Sequence, residues 1–403
     1  MEFRQARLSN GMQVIGEIRP TAPSAAIGFF VQTGARDETP EVSGVSHFLE
    51  HMMFKGTAKR SALDVTYDLA KIGAQANAFT SEENTVYYMQ ILPEFISDGV
   101  ELLSDMLRPA LDETEFSTEK NVILEEIALY QDRPTHVLFE QSLRQHFAGH
   151  PAGNSVLGST ESVRALSASQ MRTYFQNRYT AANIVFAVTG NANWDAVLEL
   201  LDKHCGGWES HAVGRDRRPH VPTASTTTLR RDGLQMAHGC LIADGPSEQS
   251  EYRYAAGVLS CILGDSSGSK AYWDLVDKGL ADAAHIDFED MDHTGFVYGY
   301  VSAEPEKIEQ VRDRLEAIMC EPLKFTDEDL VRALTKLRTR LVLQGESTMR
   351  RLMAVGLEWI ARGRYRTLEE ELARLKQVDR SEIQSLLSGI SLRPITKVTL
   401  LPQ

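Results

Sequence analysis

Apolar and polar residues along this chain alternate between two rhythms, one with the two-residue period of strands and one with the 3.6-residue period of helices. In the first half, the apolar run from Ala25 to Thr33 predicts a strand, and an acidic loop leads from it to a helix over Val42 to Lys55. A helix and strand pair is expected across Ala62 to Leu92, then an amphipathic helix over Glu94 to Leu107 and another beginning near Glu113. The second half repeats the order: strand Met236 to Ala243, helix Tyr252 to Leu263, a further helix, strand Gly295 to Ala303, and helices Pro305 to Met319 and Asp327 to Leu343. The segments TVYYMQILPEFISDGVELLSDML and GFVYGYVSAEPEKIEQVRDRLEAIM share one plan, an alternating strand, a Pro-initiated turn and an amphipathic helix. Such self-similarity predicts an α+β protein of two similar domains, each a mostly antiparallel sheet packed with helices on one face.

Between the halves, residues 206–228 carry turn formers, charges and small polar residues with no apolar period. The expected division is therefore a domain at 1–205, a linker at 206–228 and a second domain at 229–403. With 42 Lys and Arg against 56 Asp and Glu, the net charge is −14, which argues against nucleic acid as a partner. No apolar run reaches the roughly 18 residues of a membrane span, and the first residues lack the pattern of a signal peptide, so a cytoplasmic location is expected. Cys205, Cys240, Cys261 and Cys320 are too dispersed for CxxC pairs and read as ordinary small apolar residues.

The sharpest local feature is HFLEHMMFKG. A helix advances about 100° per residue, so His51 falls about 40° from His47 and Glu50 about 60° to the other side. Two imidazoles and a carboxylate then share one face, and the H-x-x-E-H order is the inverted form of the zincin motif. Phe48, Leu49, Met52, Met53 and Phe54 make the helix apolar nearly all round, so these polar groups are expected to be buried and to need a strong partner such as a metal ion. Gly56 reads as the left-handed cap ending the helix.

A catalytic zinc ion commonly takes two histidines and a glutamate and keeps one position open. The helix in ETEFSTEKNVILEEIALYQDRP offers the glutamate, because Glu119 and Glu126 fall within its apolar stripe whereas Glu125 points elsewhere. Glu126 is expected as the third ligand and Glu119 as a group orienting a histidine or the water. Both carboxylates meeting Lys or Arg in a structural network is the alternative.

With LSNGMQVIGE, TGARDE, GVSHFLEHMMFKGT, IGAQANAFTSEENTVYY and VILEEIALYQDRP in register, followed by GPS, ILGDSSGSK, KGLAD and HTGFVYGYV, nearly the whole chain resembles the M16 zinc metallopeptidases. The resemblance implies the M16 (LuxS-like) fold and, at this length, the short processing-peptidase-like branch, whose chains pair into a clam-shaped dimer enclosing a chamber. It also implies one zinc ion per chain held by His47, His51 and Glu126, with Glu50 activating the zinc-bound water and Glu119 in a supporting acidic position. Asn77, Ala78, Phe79 and Thr80 match the edge strand to which a peptide substrate adds, a mode in which backbone pairing gives sequence-tolerant affinity. The implied activity is endopeptidase cleavage of peptides or unfolded segments.

Active members also carry an arginine and a tyrosine in the second domain, within patterns like SSRLF and GLAY. Here GSKAY and GLADA place Lys270 and Asp282 at those positions, and the second domain lacks a histidine pair, as a non-catalytic copy would. The resemblance thus implies either a zinc-bearing subunit whose partner, another M16-like chain, supplies the pair, or a homodimer working with Lys270 or another donor such as Tyr272. A catalytically silent scaffold or peptide-binding subunit is the alternative from a different class. His146 and His150, flanked by Gly149 and Pro151, read as a loop or helix end; HIDFEDMDH reads as a solvated hairpin loop; and Met349 to Arg366 reads as a structural helix.

Overall fold

Eleven strands form two sheets in the computed structural model, which covers residues 1–403. In the first, β1 (Glu2–Arg7), β2 (Gln13–Ile18), β3 (Ala25–Val31), β4 (Gln75–Thr80), β5 (Thr85–Ile91) and β6 (Ile184–Gly190) lie in the order β1-β2-β6-β3-β5-β4. Only β2 and β6 run parallel. In the second, β7 (Ser225–Arg231), β8 (Ala237–Asp244), β9 (Ala283–Met291), β10 (Thr294–Ala303) and β11 (Thr396–Pro402) lie in the order β7-β11-β8-β10-β9, with β7 and β11 the parallel pair. Leaving out β1, the two sheets have the same succession of parallel and antiparallel neighbours. The repeat read from the sequence is thus a repeat of topology, and the α+β class holds.

Both faces of the first sheet are covered, not one as expected. Every residue of β3 and β6 is buried. Alternate residues serve opposite cores: Ile27, Phe29 and Val31 join Phe48, Leu103, Ile123, Met171 and Val197 from helices Val45–Met52, Ile96–Met106, Glu113–Gln131, Ala168–Arg178 and Trp194–Cys205. Ala26 and Phe30 pack instead with Val86, Ala187, Leu352 and Val355, the last two from helix Thr348–Arg362. The second sheet shows the same arrangement. Leu241, Val297 and Val301 face Leu259, Val311 and Leu315, while Ile242, Phe296 and Val398 face Leu138, Leu143 and Phe147 at helix Pro134–His146.

These covering helices change the domain boundaries. One compact unit gathers Met1–Ala128, Asn154–Asp216 and Gln344–Arg366, and the other Leu129–Gly153, Arg217–Leu343 and Thr367–Gln403. A contiguous cut at residues 206–228 therefore does not describe the units, because each half of the chain contributes a helix to the other half's sheet.

Helix Thr348–Arg362 is fastened to the first sheet chemically as well as by packing. Arg351 Nε donates to Glu17 Oε1 at 2.9 Å, its Nη2 pairs with Glu17 Oε2, and the Tyr365 hydroxyl donates to the same oxygen at 2.8 Å. Gly356 permits the close approach, since a Cβ there would sit 2.2 Å from Cζ of Phe30. In an open helix, Gly→Ala stabilises by about 1 kcal/mol, but forcing atoms into a filled core costs about 1–3 kcal/mol. Gly356→Ala is therefore expected to lower the stability measured by denaturant unfolding, and an increase would mean that the helix does not lie on Phe30.

Several local expectations are corrected. The stretch Ala62 to Leu92 holds a helix and two strands, and the further helix of the second half is a short π-helical turn, Tyr272–Val276. HIDFEDMDH is mostly strand: His285 lies within β9 and only Asp292 and His293 form the turn to β10. Gly56 has φ 103° but follows the helix end by several residues, shaping a turn that bridges to Ser61. Three cysteines are buried as expected, while Cys320 is exposed. No helix is long and apolar enough to cross a membrane.

Candidate metal centre

Helix Val45–Met52 begins at Gly44, whose φ of 90° suits glycine, and its N-terminal donors meet a carboxylate supplied from the preceding loop. Glu38 Oε2 accepts from the Gly44 N–H at 2.6 Å and Oε1 from the Ser46 N–H at 2.7 Å. Burial pushes the Glu38 carboxyl up to about 8, although both backbone bonds and Ser46 pull the other way. The loop carrying it is pinned by buried ion pairs, Arg36 with Glu83 at 2.5 Å and Asp37 with Arg178 at 2.5 Å and Arg215 at 2.9 Å. The Ser46 hydroxyl meets Tyr174 at 2.7 Å, which fixes the helix from a second side. TGARDE therefore orients the histidine helix, a role that its sequence alone does not reveal because it depends on how the loop folds back.

On this helix His47 and His51 stand with ring centroids 4.8 Å apart. Glu126 reaches them from helix Glu113–Gln131, its Oε2 lying 3.8 Å from His47 Nε2 and 3.5 Å from His51 Nε2. Ligand atoms from all three residues lie within 4.8 Å of one another. Donors about 2.0–2.1 Å from a tetrahedral zinc ion sit roughly 3.4 Å apart, so the separations fit one shared ion. Burial, with a smaller contribution from His51, holds the His47 imidazole down at about 4, which keeps it neutral and able to ligate. Its other nitrogen, Nδ1, is buried without a hydrogen-bond partner.

Glu119 lies one face-repeat earlier on the same helix and is buried. Its Oε1 is 2.8 Å from His51 Nδ1, and its Oε2 pairs with Lys55 Nζ at 2.6 Å. Burial alone would raise this carboxyl, but Lys55 and His51 together hold it below the ordinary value. The sequence places Lys55 only at the helix end, although a lysine four residues after His51 is a local signal for such a partner. Glu50 is mostly buried too: Thr80 Oγ1 donates to its Oε2 at 2.6 Å. Burial raises the Glu50 carboxyl above its usual value, opposed by the Thr80 bond and by His51 and reinforced by Glu126.

Thr80 ends β4, the edge strand of the first sheet, which pairs only with β5. Asn77, Ala78 and Phe79 precede it there, and the Ala78 N–H is held by the Asn77 side chain at 2.8 Å. Lys270 belongs to the other compact unit, where its Nζ pairs with Asp329 Oδ2 at 3.1 Å. In the same unit the Asp282 N–H donates to the Ser302 carbonyl. The structure thus gathers His47, Glu50, His51, Thr80, Glu119 and Glu126 around one place and gives Lys270 a separate partner.

Comparison with known proteins agrees with this fold. Residues 13–160 match the family described as Insulinase (Peptidase family M16), and residues 165–337 match the Peptidase M16 inactive domain. The chain belongs to the M16 peptidase family, a family of zinc proteases. It is 31% identical over 383 residues to the uncharacterized zinc protease YmxG of Bacillus subtilis, covering 94% of this chain and 93% of that protein. It is 28% identical over 399 residues to the mitochondrial-processing peptidase subunit beta of Caenorhabditis elegans, covering 96% and 86%. The solved structure of a protease from Helicobacter pylori superposes with a TM-score of 0.91 at 20% identity, over 100% of this chain and 99% of that one, a likeness of fold.

Proposed function

We propose that the chain is a zinc-dependent endopeptidase acting on peptides or unfolded segments, with His47, His51 and Glu126 as zinc ligands, Glu50 as general base and Glu119 as the group that orients His51. The observation carrying this reading is the convergence of ligand atoms from His47, His51 and Glu126 within 4.8 Å of one another, beside the half-buried Glu50 carboxylate on the histidine helix. Zinc bound there would polarise a scissile carbonyl and lower the pKa of water to about 7.

The protein's own groups then have defined tasks. Glu50 takes the proton of the attacking water and returns it to the leaving amine, and its raised proton affinity brings it nearer the pH at which both transfers are efficient. Thr80 holds Oε2 of Glu50, which leaves Oε1 to meet the water. Glu119 accepts a hydrogen bond from His51 Nδ1–H and so presents the Nε2 lone pair toward the side of Glu126. An extended substrate adds to the edge of β4 along Asn77, Ala78, Phe79 and Thr80. Since Thr80 also grips Glu50, strand pairing places a substrate carbonyl in register with the base.

The second half acts as the non-catalytic partner domain, in keeping with the family description of its match. Lys270 is engaged by Asp329, and an ionised Asp282 cannot donate a hydrogen bond. The arginine and tyrosine that help hold substrate in active members are therefore assigned to a second M16-like chain, with cleavage inside a closed dimer. The test assays fluorogenic peptide cleavage by the purified chain, alone and mixed with an M16-like chain bearing SSRLF and GLAY, with and without chelator. Chelator-sensitive cleavage that needs the partner is expected. Full activity of the chain alone would remove the partner requirement, and zinc-loaded protein inactive in every mixture would overturn the peptidase reading.

A further inference from the structure

Beside the second sheet lies a group of histidines that the metal centre above does not use. His146 ends helix Pro134–His146, His220 lies in the irregular segment before β7, and Asp244 ends β8. His146 is 0% exposed. Its Nδ1 meets Thr396 Oγ1 at 3.3 Å, so Nε2 is the nitrogen turned toward the cluster. That Nε2 has no hydrogen-bond partner and faces Asp244 Oδ1 at 3.4 Å. His220 Nε2 is likewise buried without a hydrogen-bond partner, and the two rings lie 5.1 Å apart.

Neighbouring His150 is already committed. Its Nδ1 accepts from the Ala152 N–H at 3.2 Å, so its Nε2 carries the proton and donates to the Arg218 carbonyl at 3.0 Å. What remains is two imidazole nitrogens and one carboxylate oxygen, with ligand atoms within 4.8 Å of one another. Two buried ring nitrogens lacking partners are costly, and a shared cation satisfies both at once. Burial, with the adjacent His146, holds His220 down at about 4, leaving a lone pair for a metal at neutral pH. The Asp244 side chain is 41% exposed, which provides an entry path and room for a water ligand.

We propose that His146, His220 and Asp244 form a second metal site, for a borderline divalent transition metal of the zinc class. Two imidazoles with a single carboxylate suit zinc, whereas calcium and magnesium require mostly oxygen ligands. The ion ties helix Pro134–His146 and the segment before β7 to the end of β8, within one compact unit. Its ligands come from three separate elements, and no short motif marks them.

The experiment strips the full-length chain of metal and titrates it with Co²⁺, following visible absorption, then with Zn²⁺, following metal content and thermal midpoint. Wild type is expected to take two equivalents, and Glu126→Gln, His220→Gln and Asp244→Asn one each. His220→Gln with Glu126→Gln takes none. Zn²⁺ should raise the thermal midpoint of wild type more than that of His220→Gln, while the two share one midpoint in chelator, which controls for misfolding. Unchanged stoichiometry in both His220→Gln and Asp244→Asn overturns the proposal. Failure of the catalytic-site reading looks different: Glu126→Gln would then keep the wild-type stoichiometry while His220→Gln still lost one equivalent.

Discussion

Replacing Glu50 by glutamine is expected to reduce kcat for peptide cleavage by about 10²–10⁴-fold, the usual contribution of a positioned general base. The amide has almost the shape of the carboxylate and its oxygen can still accept from Thr80 Oγ1, so the helix and its two histidines should keep their places. Metal content and thermal midpoint should therefore match wild type. Because the role proposed for Glu50 is proton transfer and that proposed for β4 is substrate docking, KM should move little while kcat falls. Steady-state kinetics beside metal analysis of the same sample provide the check. Near-normal kcat with normal metal content would remove Glu50 from the base role.

The second large effect is expected from Glu126→Gln. Loss of a residue that only supports a ligand costs about 10–100-fold in metal affinity, and removing an anionic ligand should cost more. The remaining donors, His47 and His51, come from a single helix, so the ion would be held from one side only. The chain should lose one metal equivalent and its hydrolytic activity together, with activity partly recovered at high zinc concentration. Glu125→Gln is the control on the same helix, since Glu125 is exposed and should leave both readouts unchanged. A Glu126→Gln protein that keeps its full metal complement would place the third ligand elsewhere.

Much of this site was legible in the sequence because its geometry is local. His47, Glu50 and His51 fall on one helical face by the 3.6-residue period alone, and the burial of Phe48, Leu49 and Met52 follows from the surrounding apolar residues. The helix carrying Glu126 could be read the same way, since a carboxylate within an apolar stripe demands a partner. Its neighbour Glu119 met both alternatives at once, with His51 on one oxygen and Lys55 on the other. Glu38 was not legible as the cap of the histidine helix, because an intervening loop decides whether its carboxylate reaches the Gly44 and Ser46 N–H groups. His146, His220 and Asp244 escaped for a related reason, as a helix end, an irregular segment and a strand end meet only after folding.

The amino-acid order by itself determined the α+β class, the repeated order of the principal strands and helices and which residues one helix presents together. These are consequences of backbone periods and of side chains only a few positions apart. Tertiary structure decided which sheet each covering helix serves. An amphipathic stripe states that a helix must be buried but not against what, because burial of apolar surface is non-directional. Helix Thr348–Arg362 lies on the first sheet because Gly356 admits Phe30 and Arg351 finds Glu17, a partner 334 residues away. Helix Pro134–His146 lies on the second because Leu138 and Leu143 fit against Ile242, Phe296 and Val398. Such choices depend on shape and charge matched across distant segments, which no local period encodes.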